Sequence, residues 1–167
     1  MLVLGMILTI PHLRTSLTTS FPDVQEINVD LKTRTLIDTD ILSYYFKGNP
    51  NVINNFSIYL EAFDLIEISL ITYYEISSGL LAKNALKQLE VSEEFASDNI
   101  VIPLTEKSCR ISAELYTTLR QKGEMLDDID ILIAGVAIEN EMVIATNNEK
   151  HFQRIPGLNV ENWTHKL

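Results

Sequence analysis

The sequence predicts an α/β fold with a mostly parallel sheet. Short apolar runs typical of buried strands alternate with longer segments of helical period, as expected when crossover helices connect parallel strands. The chain has 167 residues, 46% of them hydrophobic, which suits one domain with a single core. Acidic and amide side chains follow several of the apolar runs. We find no internal repeat, so a second domain is not expected.

The regular pattern begins at Thr35. TLID predicts a short buried strand, and DILSYYFKGN predicts a short helix that ends at Gly48, before Pro50. NVINNFSIYLEAF has the period of a second helix, and DLIEISL predicts the next strand. The aromatic residues of these two helices form either core or an apolar patch for a partner, and their helical spacing favours core.

Two further helices, ITYYEISSGLLAK and ALKQLEVSEEFAS, precede the predicted strand NIVIPL. TEKSCRISAELYTTLRQKG predicts a long helix closed by Gly123. A buried helix follows in DIDILIAGVAIENE, where Ala134 and Gly135 allow close packing, and then the strand MVIAT. NVENW predicts a last short strand.

Residues 1–33 are predicted to be an N-terminal extension of irregular chain, outside a domain formed by residues 34–167. The opening run MLVLGMILTI is too short to span a membrane, and no positively charged region precedes it as in a signal peptide. We therefore expect no membrane partner. The sequence leaves two explanations open: a loosely attached extension, or a start placed upstream of the true one.

The charge balance limits the partners. Thirteen Lys and Arg against 23 Asp and Glu give a formal net charge of -10. Such a chain does not bind nucleic acid through bulk charge, so a phosphate-bearing partner requires a local site or bound cations. A basic protein partner is the alternative.

Cys109 is the only cysteine, which excludes an intramolecular disulfide and a cysteine-based zinc cluster. A reducing, cytoplasmic location is the default expectation. The helical spacing around Cys109 predicts a small core or half-buried residue rather than a nucleophile.

Polar side chains cluster where the predicted strands end and the next helices begin. In parallel sheets, ligands bind outside this carboxyl edge. The residues concerned are Asp38 after the first strand, Glu75 in the helix after EISL, Asp128 and Asp130 at the start of the buried helix, and Asn147 and Asn148 after MVIAT.

Each acid also has a structural interpretation as a helix cap or as a complement to a helix dipole. Thr72 and Glu75 have the spacing of a capping box, and Asp38 has the position of a cap for the helix near Asp40. Either Asp127 or Asp128 fits the N-cap of the buried helix. Taken singly, each position favours this structural role.

Convergence changes the balance between the two interpretations. Two carboxylates about 4 Å apart repel by roughly 4 kcal/mol at an effective dielectric constant of about 20. Several converging carboxylates therefore require a cation. Oxygen ligands without sulfur favour Mg²⁺ or Mn²⁺ over zinc.

Four segments resemble, in order and spacing, the motifs of PIN domains, specifically the VapC-type toxin ribonucleases: LIDTDILSYYF, ITYYEISSG, DDIDILIAG and ATNNEKHFQRIPGLNVENW. The resemblance covers about residues 34–165. It implies a PIN-like three-layer α/β/α fold with a mostly parallel central sheet. It also implies a carboxylate-bound Mg²⁺ or Mn²⁺ that supports hydrolysis of RNA phosphodiesters, in transfer RNA first and ribosomal RNA second.

The resemblance assigns the catalytic and metal-binding roles residue by residue. Asp38, Glu75 and Asp130 match the acids that bind the metal, and Asp128 matches an additional acid often found two residues before the third. The family's fourth acidic position falls on Asn148, where many members have Asp.

Other polar positions have less specific roles. Asp40 stands where Asn is frequent in the family. Thr146 and Asn148 either orient water or phosphate or merely form a turn after the strand. His151 is predicted to support a ligand or to pack, rather than to bind metal itself.

The resemblance further implies a homodimer and a small cognate antitoxin, VapB-like, which can place a basic side chain at the acidic site. The rival hypothesis is a non-catalytic PIN-like module that binds RNA or protein. A receiver-type phosphoryl-transfer domain is a third possibility, but it needs a Lys after a late strand. Lys150 lies too far into the NNEKHF turn to meet that need.

Overall fold

The structure, a computed structural model, describes residues 33–166. The predicted extension thus lies outside the described residues, apart from Thr33. The elements are β1 Thr35–Ile37, α1 Thr39–Phe46, α2 Pro50–Ala62, β2 Glu67–Ser69, α3 Leu70–Ala82, α4 Leu86–Asp98, β3 Ile100–Ile102, α5 Glu106–Lys122, α6 Asp128–Glu139, β4 Val143–Ala145, α7 Glu149–Phe152 and β5 Val160–Glu161.

The five strands form one sheet in the order β3-β2-β1-β4-β5, and each of its four pairings is parallel. This confirms the predicted α/β class and the parallel sheet. The chain builds the sheet outward from β1 in one direction and then returns to the other side of β1 with β4. Strand order therefore reverses between β1 and β4, the kind of position at which α/β sheets bind ligands.

Helices cover both faces of the sheet, because successive residues of a strand point to opposite sides. Leu36 of β1 packs in one buried cluster with residues of α5 and α6, among them Leu119 and Ile133. Its neighbour Ile37 packs in a second cluster with residues of α1 and α2, among them Ile41 and Phe56. The predicted three-layer α/β/α architecture is confirmed.

The α6 helix is buried against α5, and Gly135 makes that approach possible. A Cβ atom at Gly135 would lie 2.1 Å from Ser112 Oγ and 2.7 Å from the backbone oxygen of Ser108. The second of these atoms is backbone and cannot rotate away. The close packing expected at Gly135 is present, and it fixes the depth at which the first turn of α6 lies.

Two details of the helices differ from expectation. The short helix α7 was not predicted as a helix, because its four residues are too few to show a period. The prediction that Cys109 is in the core or half-buried is wrong, since its side chain is exposed. The buried face of α5 is formed instead by Ser108, Ser112, Leu115 and Leu119, and this phase turns Cys109 outward.

The aromatic residues of α1 and α2 are mostly core, as their spacing predicted. Phe56 stacks on Tyr45 with ring centroids 4.2 Å apart and meets Trp163 edge-on at 5.6 Å. Tyr59 is fully buried beside them. Within residues 33–166, no helix is long and apolar enough to cross a membrane.

Candidate active site

An open pocket of about 410 Å³ lies at the carboxyl edge of the sheet, where β1 ends beside β4. Four carboxylates contribute to its wall, and they come from α1, α3, α6 and the residue after β1. The lining residues are Asp38, Thr39, Asp40, Ser43, Tyr44, Lys47, Glu75, Asp130 and Asn148. The structure therefore brings the three predicted metal-binding acids into one pocket.

Asp38 is the most firmly held of these acids, with 6% of its surface exposed. Its Oδ1 accepts a hydrogen bond from the Thr39 backbone N–H at 2.7 Å, and its Oδ2 accepts one from the Thr146 hydroxyl at 2.7 Å. The N-cap role considered for Asp38 is thus real but uses only one oxygen. The bond to Thr146 orients the carboxylate across the junction of β1 and β4.

Glu75 does not form the predicted capping box with Thr72. The N-cap of α3 is Ser69, whose hydroxyl accepts from the Thr72 backbone N–H at 2.9 Å. The helix begins at Leu70, which places Glu75 in its second turn rather than its first. The Glu75 side chain instead accepts a hydrogen bond from the Thr39 hydroxyl at 2.5 Å, so it is directed into the pocket.

Asp130 is released from capping because Asp127 caps α6 by accepting from the Ile129 backbone N–H at 2.9 Å. The Asp130 Oδ2 atom lies 2.9 Å from His151 Nδ1. Asp128, the additional acid of the sequence prediction, is exposed and does not line the pocket. The structure therefore separates two acids that lie two residues apart on the same helix.

The segment that follows β4 holds two acids of the pocket in place. Thr146 is fully buried, donates to Asp38 and accepts from the Asn148 backbone N–H at 2.9 Å. Asn148 Nδ2 lies 2.8 Å from His151 Nδ1 and 3.4 Å from Asp130 Oδ2. His151 thus contacts an acid of the pocket without lining the pocket itself, which agrees with the supporting role predicted for it.

Two residues of the pocket wall, Tyr44 and Lys47, were not predicted as site residues, whereas Asp40 beside them had already been matched to a position of the family pattern. Asp40, Tyr44 and Lys47 lie on one face of α1 and all line the pocket. The Asp40 carboxylate also accepts from the Asn147 backbone N–H, at 3.0 and 3.2 Å, which ties α1 to the segment after β4. Their spacing of four and three residues was a readable signal, because such positions share a helix face.

Electrostatics distinguish Asp38 from an ordinary buried acid. Burial raises its pKa from 3.8 to about 7, and the nearby Asp40 carboxylate adds to the rise. The hydrogen bonds from Thr146 and Thr39 oppose this shift only partly. Burial also raises the pKa of Asp40. Ionised carboxylates are therefore unfavourable here without a positive partner.

Glu67, at the amino end of β2, is a buried acid that does have a basic partner. It is 3% exposed, forms an ion pair with Arg34 and accepts a hydrogen bond from Tyr59 Oη at 3.1 Å. No Lys or Arg of the described residues forms such a pair with Asp38. Of the two buried carboxylates among the described residues, Asp38 is thus the one without a basic partner.

The pocket suits a hard cation, since its acidic, hydroxyl and amide side chains supply oxygen atoms as ligands and none supplies sulfur. Within residues 33–166, no three acids, histidines or cysteines are grouped closely enough to bind one ion directly.

The chain is similar to proteins of a known family. Residues 35–158 match the model of the PIN domain. The chain is 35% identical over 130 residues to ribonuclease VapC2 of Rickettsia felis, a match that covers 77% of this chain and 96% of that one. It is 30% identical over 135 residues to the tRNA(fMet)-specific endonuclease VapC of Salmonella typhimurium, covering 77% and 96% of the two chains.

Solved structures agree in fold. A chain of VapBC2 from Rickettsia felis, crystallised with a DNA fragment from the promoter, superposes with a TM-score of 0.70 at 33% identity and covers 77% of this chain and 98% of its own. DNA-bound VapBC from Salmonella typhimurium gives a TM-score of 0.71 at 28% identity, covering 78% and 98%.

The raised pKa of Asp38 predicts how the stability of metal-free protein depends on pH. Because the folded state holds the Asp38 proton more tightly than the unfolded state, the free energy of unfolding falls as the pH rises from about 4 to about 7. Asp38→Asn removes this loss and keeps a competent N-cap. We expect the variant to melt at a higher temperature than wild type at pH 8 in EDTA, with the difference vanishing near pH 4.

Thermal melts at both pH values, with and without Mn²⁺, test this. Mn²⁺ should raise the melting temperature of wild type but not of Asp38→Asn, because the variant lacks one of the carboxylates that we expect to bind the ion, and an ion bound to the folded state stabilises it. Asp127→Asn, which alters an exposed cap in the same chemical way, is the matched control; it keeps Asp38, so its melting temperature should depend on pH as that of wild type does. A lower melting temperature for Asp38→Asn at pH 8 would mean that the carboxylate is mainly a cap.

Proposed function

The chain belongs to the PIN domain family, and from that premise we propose that it is a Mg²⁺- or Mn²⁺-dependent endoribonuclease that hydrolyses RNA phosphodiester bonds. We propose further that it is the toxin of a toxin–antitoxin pair. One observation carries the proposal: Asp38 is nearly buried beside three further pocket carboxylates and has no basic partner among the described residues. A divalent cation supplies the missing charge.

Asp38, Glu75 and Asp130 would hold the metal ion, directly or through water. When bound, such an ion neutralises charge on the scissile phosphate and activates water for attack. Other side chains of this chain hold the three acids in position through hydrogen bonds. The Thr146 hydroxyl holds Asp38, the Thr39 hydroxyl holds Glu75, and His151 contacts Asp130.

Asn148 and Asp40 mark this chain's departures from the family pattern, and they compensate in charge. Asn148 brings an amide to a corner where many PIN domains have Asp, and its Nδ2 can donate to a phosphate oxygen. Asp40 brings a carboxylate where Asn is frequent. The pocket therefore keeps the same number of carboxylates, and its negative charge moves towards α1.

Transfer RNA is the proposed substrate class, with ribosomal RNA as the second choice. The relative from Salmonella typhimurium is named for its action on tRNA(fMet), and it matches nearly the whole described chain. With a net charge of -10, this protein depends on bound cations and a few local contacts to hold any RNA.

A small VapB-like antitoxin is the proposed protein partner, in the cytoplasm. Two of the structural relatives are VapBC complexes. A pocket with four carboxylates and one lysine can accept a basic side chain from such a partner when metal and RNA are absent. A gene for a small DNA-binding protein beside this one is the simplest supporting observation.

The proposed homodimer interface is the α3 groove, a cavity of about 470 Å³ lined by Leu70, Ile71, Tyr73, Tyr74, Ser77, Ser78 and Leu81. None of these side chains is charged, so a second copy of an acidic chain can approach here without apposing carboxylates. Leu81 is 57% exposed and Tyr74 is 60% exposed, which leaves apolar surface for a partner copy to cover.

The dimer proposal is tested by light scattering after size-exclusion chromatography. Wild type should have twice the 19.0 kDa mass of one chain, and Leu81→Glu should have the mass of a monomer, because burying the new charge opposes association. Met125→Glu, at an equally apolar and 46% exposed position outside the groove, should remain dimeric. A monomeric wild type, or dissociation of both variants alike, would contradict the proposal.

The catalytic proposal is tested by incubating purified protein with total RNA and mapping new ends, in Mg²⁺, Mn²⁺ or EDTA. Wild type should cleave only with a divalent ion. Asp130→Asn should reduce the yield of new ends at least about a hundredfold, since it removes a proposed ligand. Its fold should survive, because Asp127 and not Asp130 caps α6.

Asp127→Asn, three residues away, is the matched control and should cleave like wild type. Equal cleavage by wild type and Asp130→Asn, independent of metal, would indicate a contaminating ribonuclease and overturn the assignment. RNA binding without cleavage by wild type would favour the non-catalytic binding module.

A further inference from the structure

One face of α1 lines the pocket along the whole helix, so the C-terminal end of this face lies away from the carboxylates. Asp40 lies near its start and Lys47 at its C-cap, seven residues later, so the two are about 10 Å apart along the helix axis. Ser43 and Tyr44 lie between them on the same face. The pocket is therefore elongated, with an acidic end at the sheet and a different chemistry at the far end of α1.

Lys47 is the single basic side chain among the described residues that line the pocket. Despite the four carboxylates of this wall, it forms no salt bridge with any of them; among the described residues, Arg34 with Glu67 is the one ion pair that involves a Lys or Arg. Its Nζ lies instead over the Tyr44 ring, 5.8 Å from the centroid. The ammonium group is exposed and available to an anion at the pocket rim.

Tyr44 differs from the neighbouring aromatic residues. Tyr45, Phe46 and Phe56 each pack against at least one other aromatic ring, whereas Tyr44 has no such partner among the described residues. It is half-buried and lines the pocket. Tyr44 lies beside Lys47. Proteins commonly bind single-stranded nucleic acid with such a pair, in which an aromatic ring stacks on a base and a nearby cation binds a phosphate.

We propose that Lys47 and Tyr44 form the RNA-binding end of the pocket. Lys47 pairs with a phosphate adjacent to the one beside the carboxylates, and the Tyr44 ring packs against a base of the same strand. This inference rests on the proposed ribonuclease function and names the contacts that hold its substrate. Because every other charged side chain of the pocket wall is acidic, these two residues set the direction in which the strand enters.

The test compares Lys47→Gln with Lys83→Gln. Both lysines are exposed and both are helix C-caps, but Lys83 ends α3 and does not line the pocket. Initial rates are measured on a single-stranded RNA pool in Mn²⁺ at several KCl concentrations. For Lys47→Gln we expect KM to rise about tenfold with kcat within about twofold, because one phosphate contact is lost from ground state and transition state alike.

The salt dependence gives a second readout. Loss of one phosphate contact should make the plot of log(kcat/KM) against log[KCl] shallower by about 0.7 for Lys47→Gln and leave it unchanged for Lys83→Gln. Mn²⁺ affinity measured by calorimetry without RNA should be unchanged or slightly higher for Lys47→Gln, because a cation has left the acidic pocket. If Lys47 had only a structural role, Lys47→Gln would not give a shallower salt dependence together with an unchanged or higher Mn²⁺ affinity.

Tyr44 is tested with Tyr44→Leu and Tyr44→Phe. Loss of the ring should weaken RNA binding by roughly fivefold or more, whereas Tyr44→Phe, which keeps the ring, should bind like wild type; fluorescence anisotropy measures both in Mn²⁺ on the Asp130→Asn background, which leaves the labelled RNA uncut. Equal weakening by both variants would mean that the hydroxyl matters and would overturn the stacking contact.

The failures of the two proposals are distinguishable. If wild type cleaves but Lys47→Gln and Lys83→Gln behave alike, the RNA-binding end is wrong and the ribonuclease stands. If wild type shows no metal-dependent cleavage, the ribonuclease proposal fails, and the anisotropy measurement still decides whether Lys47 and Tyr44 hold RNA. A fall in kcat for Lys47→Gln with unchanged KM would also overturn the assignment of Lys47 to substrate binding.

Discussion

The Asp38 carboxylate is held nearly buried between β1 and β4 without a basic side chain to pair with it, and the rest of the site depends on this constraint. The Thr39 backbone and the Thr146 hydroxyl each occupy one of its oxygens, so it cannot turn towards solvent. Burial keeps its pKa near 7 and makes its ionised form costly. A divalent cation would offset the cost of this buried negative charge, and the pocket that could bind one is lined by three further carboxylates.

The fold supplies those carboxylates because parallel strands bring successive helix starts to the same edge. Glu75 and Asp130 reach the pocket from α3 and α6, and in both helices a neighbouring residue performs the capping that would otherwise occupy the acid. Gly135 allows α6 to lie against α5 and so fixes where Asp130 is presented. The paired acid Glu67, at the other edge of the same sheet, shows that this fold can neutralise a buried carboxylate with arginine where no chemistry is needed.

The sheet, its parallel sense and the three principal acids could be predicted from sequence because each depends on local patterns: apolar period, helix starts and acids at strand ends. The predictions that were wrong concern features that depend on tertiary geometry. The capping box at Thr72 was wrong because Ser69 starts the helix earlier, and Cys109 was placed inside because a small helical residue does not reveal which face is buried. Tyr44 and Lys47 were missed because Tyr44 was grouped with its core neighbours, although the spacing of both residues from Asp40 was visible.

The central claim is that the buried acids are arranged for a cation, and the direct measurement is the location of Mn²⁺ in crystals of the protein soaked with the ion. An anomalous difference map should contain a peak in the pocket bordered by Asp38, Glu75 and Asp130, completed by water. Crystals of Asp38→Asn soaked in the same way should lack that peak. A map with no peak in the pocket, or with Mn²⁺ bound only at surface acids such as Asp128, would contradict the account.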